Sequence, residues 1–212
     1  MDLGGDYSDL YPSISRDGRR LVFTSYRPFP NDTAHTAHLW YADRTDEVWG
    51  KPVPAPGNLP GYYHSWAEIG PDGAIYFRRT TPDWRSTETL VARARPDGGG
   101  YISPAPYEAL GEARRVRPDL NIAGASPGPD GRTAFLDVAT RDSATGRRGS
   151  DIWVMTLGDS GWSSPRELDA AINAPGYDVF PFFSPDGDEL FFVRDFRTFY
   201  RTPLGAALEK AR

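Results

Sequence analysis

The stretch "SPDGDELFF", residues 184–192, decides how this chain is read. An Asp-Gly pair runs straight into strand-like apolar residues. Glycine supplies the positive φ that a tight hairpin turn needs, at no steric cost. The phrase recurs as "SISRDGRRLVF" (13–23), "EIGPDGAIYF" (68–77) and "SPGPDGRTAFL" (126–136). The turn glycines are Gly18, Gly73, Gly131 and Gly187, so the steps are 55, 58 and 56 residues. A fixed period of this size is the signature of a repeat architecture.

Each repeat expands outward from its turn into strands. In the first, "YPSIS" (11–15) and "RLVFTSY" (20–26) flank the turn, and a loop over 28–36 leads to "AHLWYAD" (37–43). A further turn leads to "VWGKPVPAP" (48–56). The later third strands are "TLVARA" (89–94), "DIWVMTL" (151–157) and "TFYRTPL" (198–204). Fourth strands carry an aromatic three residues before a proline: Trp49 and Pro52, Tyr101 and Pro104, Trp162 and Pro165. Proline lacks a backbone donor and belongs on an edge strand. Four antiparallel strands per period predict an all-β fold, a β-propeller of four-stranded blades. We expect a single propeller domain over 1–212, with repeats at about 5–60, 61–110, 111–170 and 171–212. The fourth repeat lacks its outer strand, because "GAALEKAR" after "FYRTPL" reads as a short helical tail. The chain is therefore either a closed four-bladed ring or part of a larger propeller.

The Ser-Pro-Asp-Gly turns, the "DIW" third strand and the Trp-to-Pro fourth strand resemble the WD-like propeller repeats of the TolB type. "DLYPSISRDGRRLVFTSYRP" and "DVFPFFSPDGDELFFVRD" carry that resemblance. It implies a bacterial, periplasmic or extracellular binding or scaffold protein. Fold alone does not fix function.

Composition narrows the classes. The 212 residues are 39% hydrophobic and 13% aromatic, enough for one large all-β domain and too aromatic for a disordered chain. The net charge of −5 argues against nucleic acid and against anionic membranes as partners. Without cysteine there is no disulfide or thiol chemistry. No stretch reaches transmembrane length, and the first ten residues do not read as a signal peptide.

In an up-and-down blade, the long loops between second and third strands (28–36, 81–87, 140–149) share one face, the usual place for binding. Arginines recur at or after the second strands: Arg27, Arg78, Arg79, Arg141 and Arg194. His64, Trp84, Tyr177 and Asp178 fall on the same face. Arginine grips carboxylates bidentately and stacks on rings, so this set is the candidate binding site for a protein, peptide or small anionic ligand. The competing reading pairs these arginines with blade-rim acids such as Asp9, Asp32, Asp142, Asp178 and Asp195.

Apparent chemistry elsewhere has simpler readings. "GDSGW" (158–162) evokes a protease nucleophile loop but sits where a strand turn belongs, and a triad needs a positioned base and acid. His35, His38 and His64 match no metal spacing. "DGDE" (186–189) lacks most ligands of a calcium loop. Asp137 is an acid inside a strand, read as the partner of an arginine. No catalytic residue, metal or cofactor is expected. The leading function is a non-catalytic binding or scaffold propeller, the alternative an enzyme or enzyme-linked propeller acting on an acidic glycan or peptide. An open ring would leave room for oligomerisation.

Overall fold

The computed structural model describes residues 6–93, 101–141 and 146–211. Four small antiparallel sheets form the blades of an all-β propeller fold. They fall into two compact units, Met1–Tyr107 and Glu108–Arg212, with two sheets each.

In the first unit, β1 (Asp9–Ile14), β2 (Arg20–Ser25) and β3 (His38–Thr45) pair in order. The anticipated fourth strand over 48–56 is two pieces. β4 (Val48–Trp49) closes a hairpin on the end of β3, and β5 (Val53–Pro54) pairs the middle of β3, with Trp40 opposite Pro54. Between them the Gly50 N–H donates to the Asp43 carbonyl at 2.7 Å. The second sheet is β6 (Tyr63–Ile69), β7 (Ile75–Thr80), β8 (Thr87–Ala92) and β9 (Ala105–Pro106). Val22, Leu39 and Ala55 from the first sheet pack against Ala67, Ile75, Phe77 and Leu90 from the second. These are alternate positions of their strands, as a half-buried pleated surface requires.

The second unit begins with α1 (Glu108–Val116), a helix not anticipated from the sequence. It buries Ala109, Leu110 and Ala113, with Glu108 in its first turn and Arg114 and Arg115 in its last, charges suited to the helix dipole. The third sheet is β10 (Asn121–Pro127), β11 (Thr133–Arg141) and β12 (Arg148–Gly158), with β13 (Gly161–Trp162) and β14 (Arg166–Glu167) both on β12. The fourth is β15 (Asp178–Phe183), β16 (Glu189–Arg194) and β17 (Thr198–Pro203), followed by α2 (Leu204–Glu209). As expected, this sheet has no outer strand among the described residues. Phe135, Ile152, Val154 and Leu168 of the third sheet pack against Leu190, Phe192 and Ala207. Trp153 is only partly buried, with the Arg117 guanidinium 5.3 Å from its ring centre.

The quoted turn is a small hydrogen-bonded cage. Gly187 N–H donates to the Ser184 carbonyl, the Ser184 hydroxyl donates to Asp186, and Asp188 N–H donates to the same carboxylate. Ser15, Asp17, Gly18 and Arg19 repeat these bonds. In the two weaker copies Gly70 and Gly128 stand where serine stands, and Asp72 and Asp130 still accept backbone N–H bonds. Every first strand also carries a bulge. In three of them it leaves an aromatic in the left-handed region: Tyr11, Trp66 and Phe180, with φ of 51°, 50° and 58°. The bulge re-aims these rings, and holding bulky residues at positive φ stores backbone strain there.

Candidate functional site

Two buried corners, one in each unit, are built to one plan. Leu39 N–H donates to Asn58 Oδ1, and Asn58 Nδ2 donates to the Leu39 and Ala55 carbonyls. In the second unit Ile152 N–H donates to Asn173 Oδ1, and Asn173 Nδ2 donates to the Ile152 and Leu168 carbonyls. Each asparagine thus clamps a third strand to its outer strand before the chain enters the next sheet. The residue after it donates its N–H to the start of that sheet. Leu59 N–H reaches His64 Nε2 at 3.3 Å, and Ala174 N–H reaches Asp178 Oδ2 at 2.8 Å. His64 and Asp178 therefore do the same backbone job.

Their electrostatics differ. His64 is fully buried, its ring 5.3 Å from His38 and 6.1 Å from Phe77. Burial first, then the neighbouring His38 and Arg79, push its pKa down to about 4. The neutral ring is what its corner requires, because Nε2 must keep a lone pair for Leu59. His38 Nε2 lies 3.0 Å from Asp32 Oδ2. Burial alone would raise the Asp32 carboxyl, but bonds from His38, Thr36 and Gly61 outweigh it and hold it well below the usual carboxylate range. Asp32 thus serves a histidine, the Thr36 hydroxyl and three backbone amides, those of Ala34, Thr36 and Gly61, rather than an arginine.

In the second unit Arg194 Nε donates to Asp178 Oδ1 at 2.7 Å, and its Nη2 donates to the Ile172 carbonyl. Burial raises the Asp178 carboxyl despite that arginine. Asp151 lies in the adjoining third strand, β12. Burial, then the charges of Glu167 and Asp178, raise its pKa to about 6. The pairing of Ser150 with Tyr177 ties these segments together.

The remaining candidate residues separate by unit. In the first, Arg27 pairs with Asp9 at 2.9 Å and lies over Phe23. Arg78 is buried with its guanidinium 3.8 Å from the Trp66 ring centre, and Tyr11 packs on that ring. Arg79 pairs with Glu88 at 3.1 Å and lies over Tyr62. Trp84 stands at the tip of the β7–β8 loop, 66% exposed, at φ 58°. Thr81 builds that tip: its carbonyl accepts Trp84 N–H, and its hydroxyl donates to Asp83 and accepts Ser86 N–H. Tyr63 packs beneath Trp84 at 4.5 Å. His64 lies inside the corner rather than on the binding face. In the second unit Arg141 is exposed and donates to the Gly146 carbonyl. Tyr177 packs on Phe196, and its N–H donates to Asp195. Asp137 is buried, and Asp142 lies outside the described residues. "GDSGW" forms the β12–β13 hairpin.

Sequence reasoning missed Asn58, Asn173 and the Asp151 environment. The signal was present: "NLPGY" at 58–62 and "NAPGY" at 173–177 repeat the clamp and its exit turn. Among the described residues, no group of three or more histidines and carboxylates is placed to hold a metal ion, and no helix is long and apolar enough to cross a membrane.

No protein-family model and no curated protein matches the sequence. Solved structures do resemble the fold. A glycoside hydrolase superposes with a TM-score of 0.54 at 11% identity, over 95% of this chain and 71% of its own length. BT0996, in a complex with RGII, gives 0.53 at 11%, over 92% and 70%. The periplasmic gluconolactonase PpgL of Pseudomonas aeruginosa gives 0.48 at 12%, over 96% and 70%. At these identities the likeness is one of fold, that of a β-propeller.

Proposed function

We propose that this chain is a non-catalytic binding propeller of TolB-like type, and that the long-loop face of its first unit holds a glycan segment bearing carboxylates. Trp84 carries the reading. A bulky side chain is held in a left-handed backbone conformation and presented to solvent on a loop that its own hydrogen bonds define, with the Tyr63 ring tilted against it at 4.5 Å. Such an exposed ring contributes little to a core; it suits stacking against the flat C–H face of a sugar. Arg79 and Arg85 supply donors for carboxylates, and Asp83 and Glu88 supply acceptors for hydroxyls. The description of one neighbouring propeller as a glycoside hydrolase supports a sugar as the first ligand class to try. The test is fluorescence titration with a uronic-acid oligosaccharide. Binding that Trp84→Ala abolishes, with the fold retained, is the expected result. Equal binding by Trp84→Ala removes the proposal.

A second reading, an enzyme acting on an acidic glycan, is favoured by Asp151. A half-buried carboxyl raised to about 6 by burial and by the charges of Glu167 and Asp178 is the kind of group that can hold a proton for a leaving oxygen. Turnover of the same oligosaccharide that disappears in Asp151→Asn would replace the binding reading with this one.

A further inference from the structure

The fourth sheet ends at β17, whereas each of the other three lays a two-residue strand on its third strand. The ladder registers show where. Trp40 faces Pro54, Leu90 faces Pro106, and Trp153 faces Glu167. On their inner side the same three residues face Phe23, Phe77 and Leu136. In the fourth sheet the position equivalent to Phe23 is Phe192, and it faces Tyr200. Tyr200 thus stands where the sister sheets receive their outer strand, and here it has none among the described residues.

The bonding groups of the slot follow from the same register. In the sister sheets the carbonyl one residue before the marker accepts an outer-strand N–H: Leu39 from Ala55, Thr89 from Tyr107, Ile152 from Leu168, at 2.9, 2.9 and 3.2 Å. The equivalent in β17 is the Phe199 carbonyl. Residues two apart on a strand point their backbone groups the same way, so the Arg201 N–H and carbonyl share this open edge. Around it the side chains are exposed: Phe199 at 71%, Tyr200 at 39%, and Arg201. α2 does not take the place of a strand; its Ala207 packs instead into the core with Leu168, Ile172 and Phe192.

We propose that β17 is a strand-addition site for an extended peptide of a partner polypeptide, antiparallel to β17, with a short aliphatic residue and proline at its centre. The occupied slots define that ligand. Two of the three sister outer strands are Val53-Pro54 and Ala105-Pro106, each preceded by a further proline, Pro52 or Pro104. Proline at the centre leaves no unpaired donor on the outer side. Main-chain bonds provide the affinity of such sites, and alternate side chains provide the specificity. This site is independent of the Trp84 face.

The probe is a synthetic peptide with the sequence of residues 50–56, GKPVPAP, titrated into the full chain. The controls are the peptide N-methylated at its valine and non-proline alanine, and the variant Arg201→Pro, which removes an edge N–H. Saturable one-to-one binding is expected, with slowed amide exchange at Arg201. N-methylation should weaken it at least about tenfold, and Arg201→Pro should do the same. Should that variant not fold, the N-methylated probe and the exchange data on the unaltered chain decide alone. Absence of binding, equal binding by the N-methylated peptide, or self-association of the chain that protects the Arg201 amide without any peptide would overturn the proposal.

Discussion

Acid should loosen the first unit through His64, and the size of the effect follows from its surroundings. In the unfolded chain a histidine titrates near 6.5, whereas in the folded corner His64 titrates near 4. Between those values the unfolded state binds the extra proton, so stability is full above about pH 6.5 and falls as the pH drops toward 4. The loss is about 1.4 kcal/mol per unit, or about 2.5 kcal/mol by pH 4.5. The structural cause is plain. Protonation places a charge on a fully buried ring beside His38 and Arg79, and it removes the lone pair that accepts Leu59 N–H. His64→Gln keeps an acceptor oxygen and cannot titrate. Urea unfolding at pH 7.5, 6.0 and 4.5, followed by circular dichroism, should show the parent losing about 2.5 kcal/mol more than His64→Gln across that range. Carboxylates elsewhere titrate equally in both proteins and cancel. Parallel pH profiles for the two would refute the assignment of a neutral, buried His64.

Asp151 should show the opposite dependence. Its raised folded pKa means that ionisation costs stability as the pH climbs through about 6, so Asp151→Asn should be more stable than the parent at pH 8, by about 1 kcal/mol after solvent screening, and indistinguishable at pH 4. Asn173→Ala removes three bonds to buried backbone and should cost about 2–4 kcal/mol in urea unfolding, as should Asn58→Ala. Gly57→Ala should be far worse than Gly18→Ala in thermal unfolding. Both glycines have positive φ, but a Cβ on Gly57 would fall 2.5 Å from Pro104 and 2.7 Å from Phe77, whereas one on Gly18 meets open space. We expect a loss above about 2 kcal/mol for the first and about 1 kcal/mol for the second.

The parts of this fold that depend on short-range chemistry were legible in the sequence. Asp-Gly turns dictate hairpins wherever they occur, and the turns at Gly18, Gly73, Gly131 and Gly187 are all hairpins here. That the last sheet shows three strands among the described residues was legible by comparison between repeats. Less visible was anything set by a loop side chain reaching back onto a strand. Asn58 and Asn173 look like loop residues until their amides are seen on β3 and β12. The helix α1 was hidden because Gly111 interrupts its middle and only Ala109, Leu110 and Ala113 mark its buried face. The arginines were legible with some of their partners: Asp9 and Asp178 were named as rim acids and are paired here, whereas Glu88, the partner of Arg79, was not. Arg27, Arg79 and Arg194 each hold an acid, and only the exposure of Trp84 singles out part of that face.

The asparagine clamp also defines what can be exchanged as a piece. Because Asn58 and Asn173 fasten the rim of one sheet while the next residues fasten the opening strand of its successor, a cut between sheets severs both fastenings at once. A cut in the loop between a second and a third strand severs neither. Blade swaps and permuted termini therefore belong in the loops between second and third strands, and the natural module for recombination runs from loop to loop across a clamp, out of step with the sheets that the eye would choose.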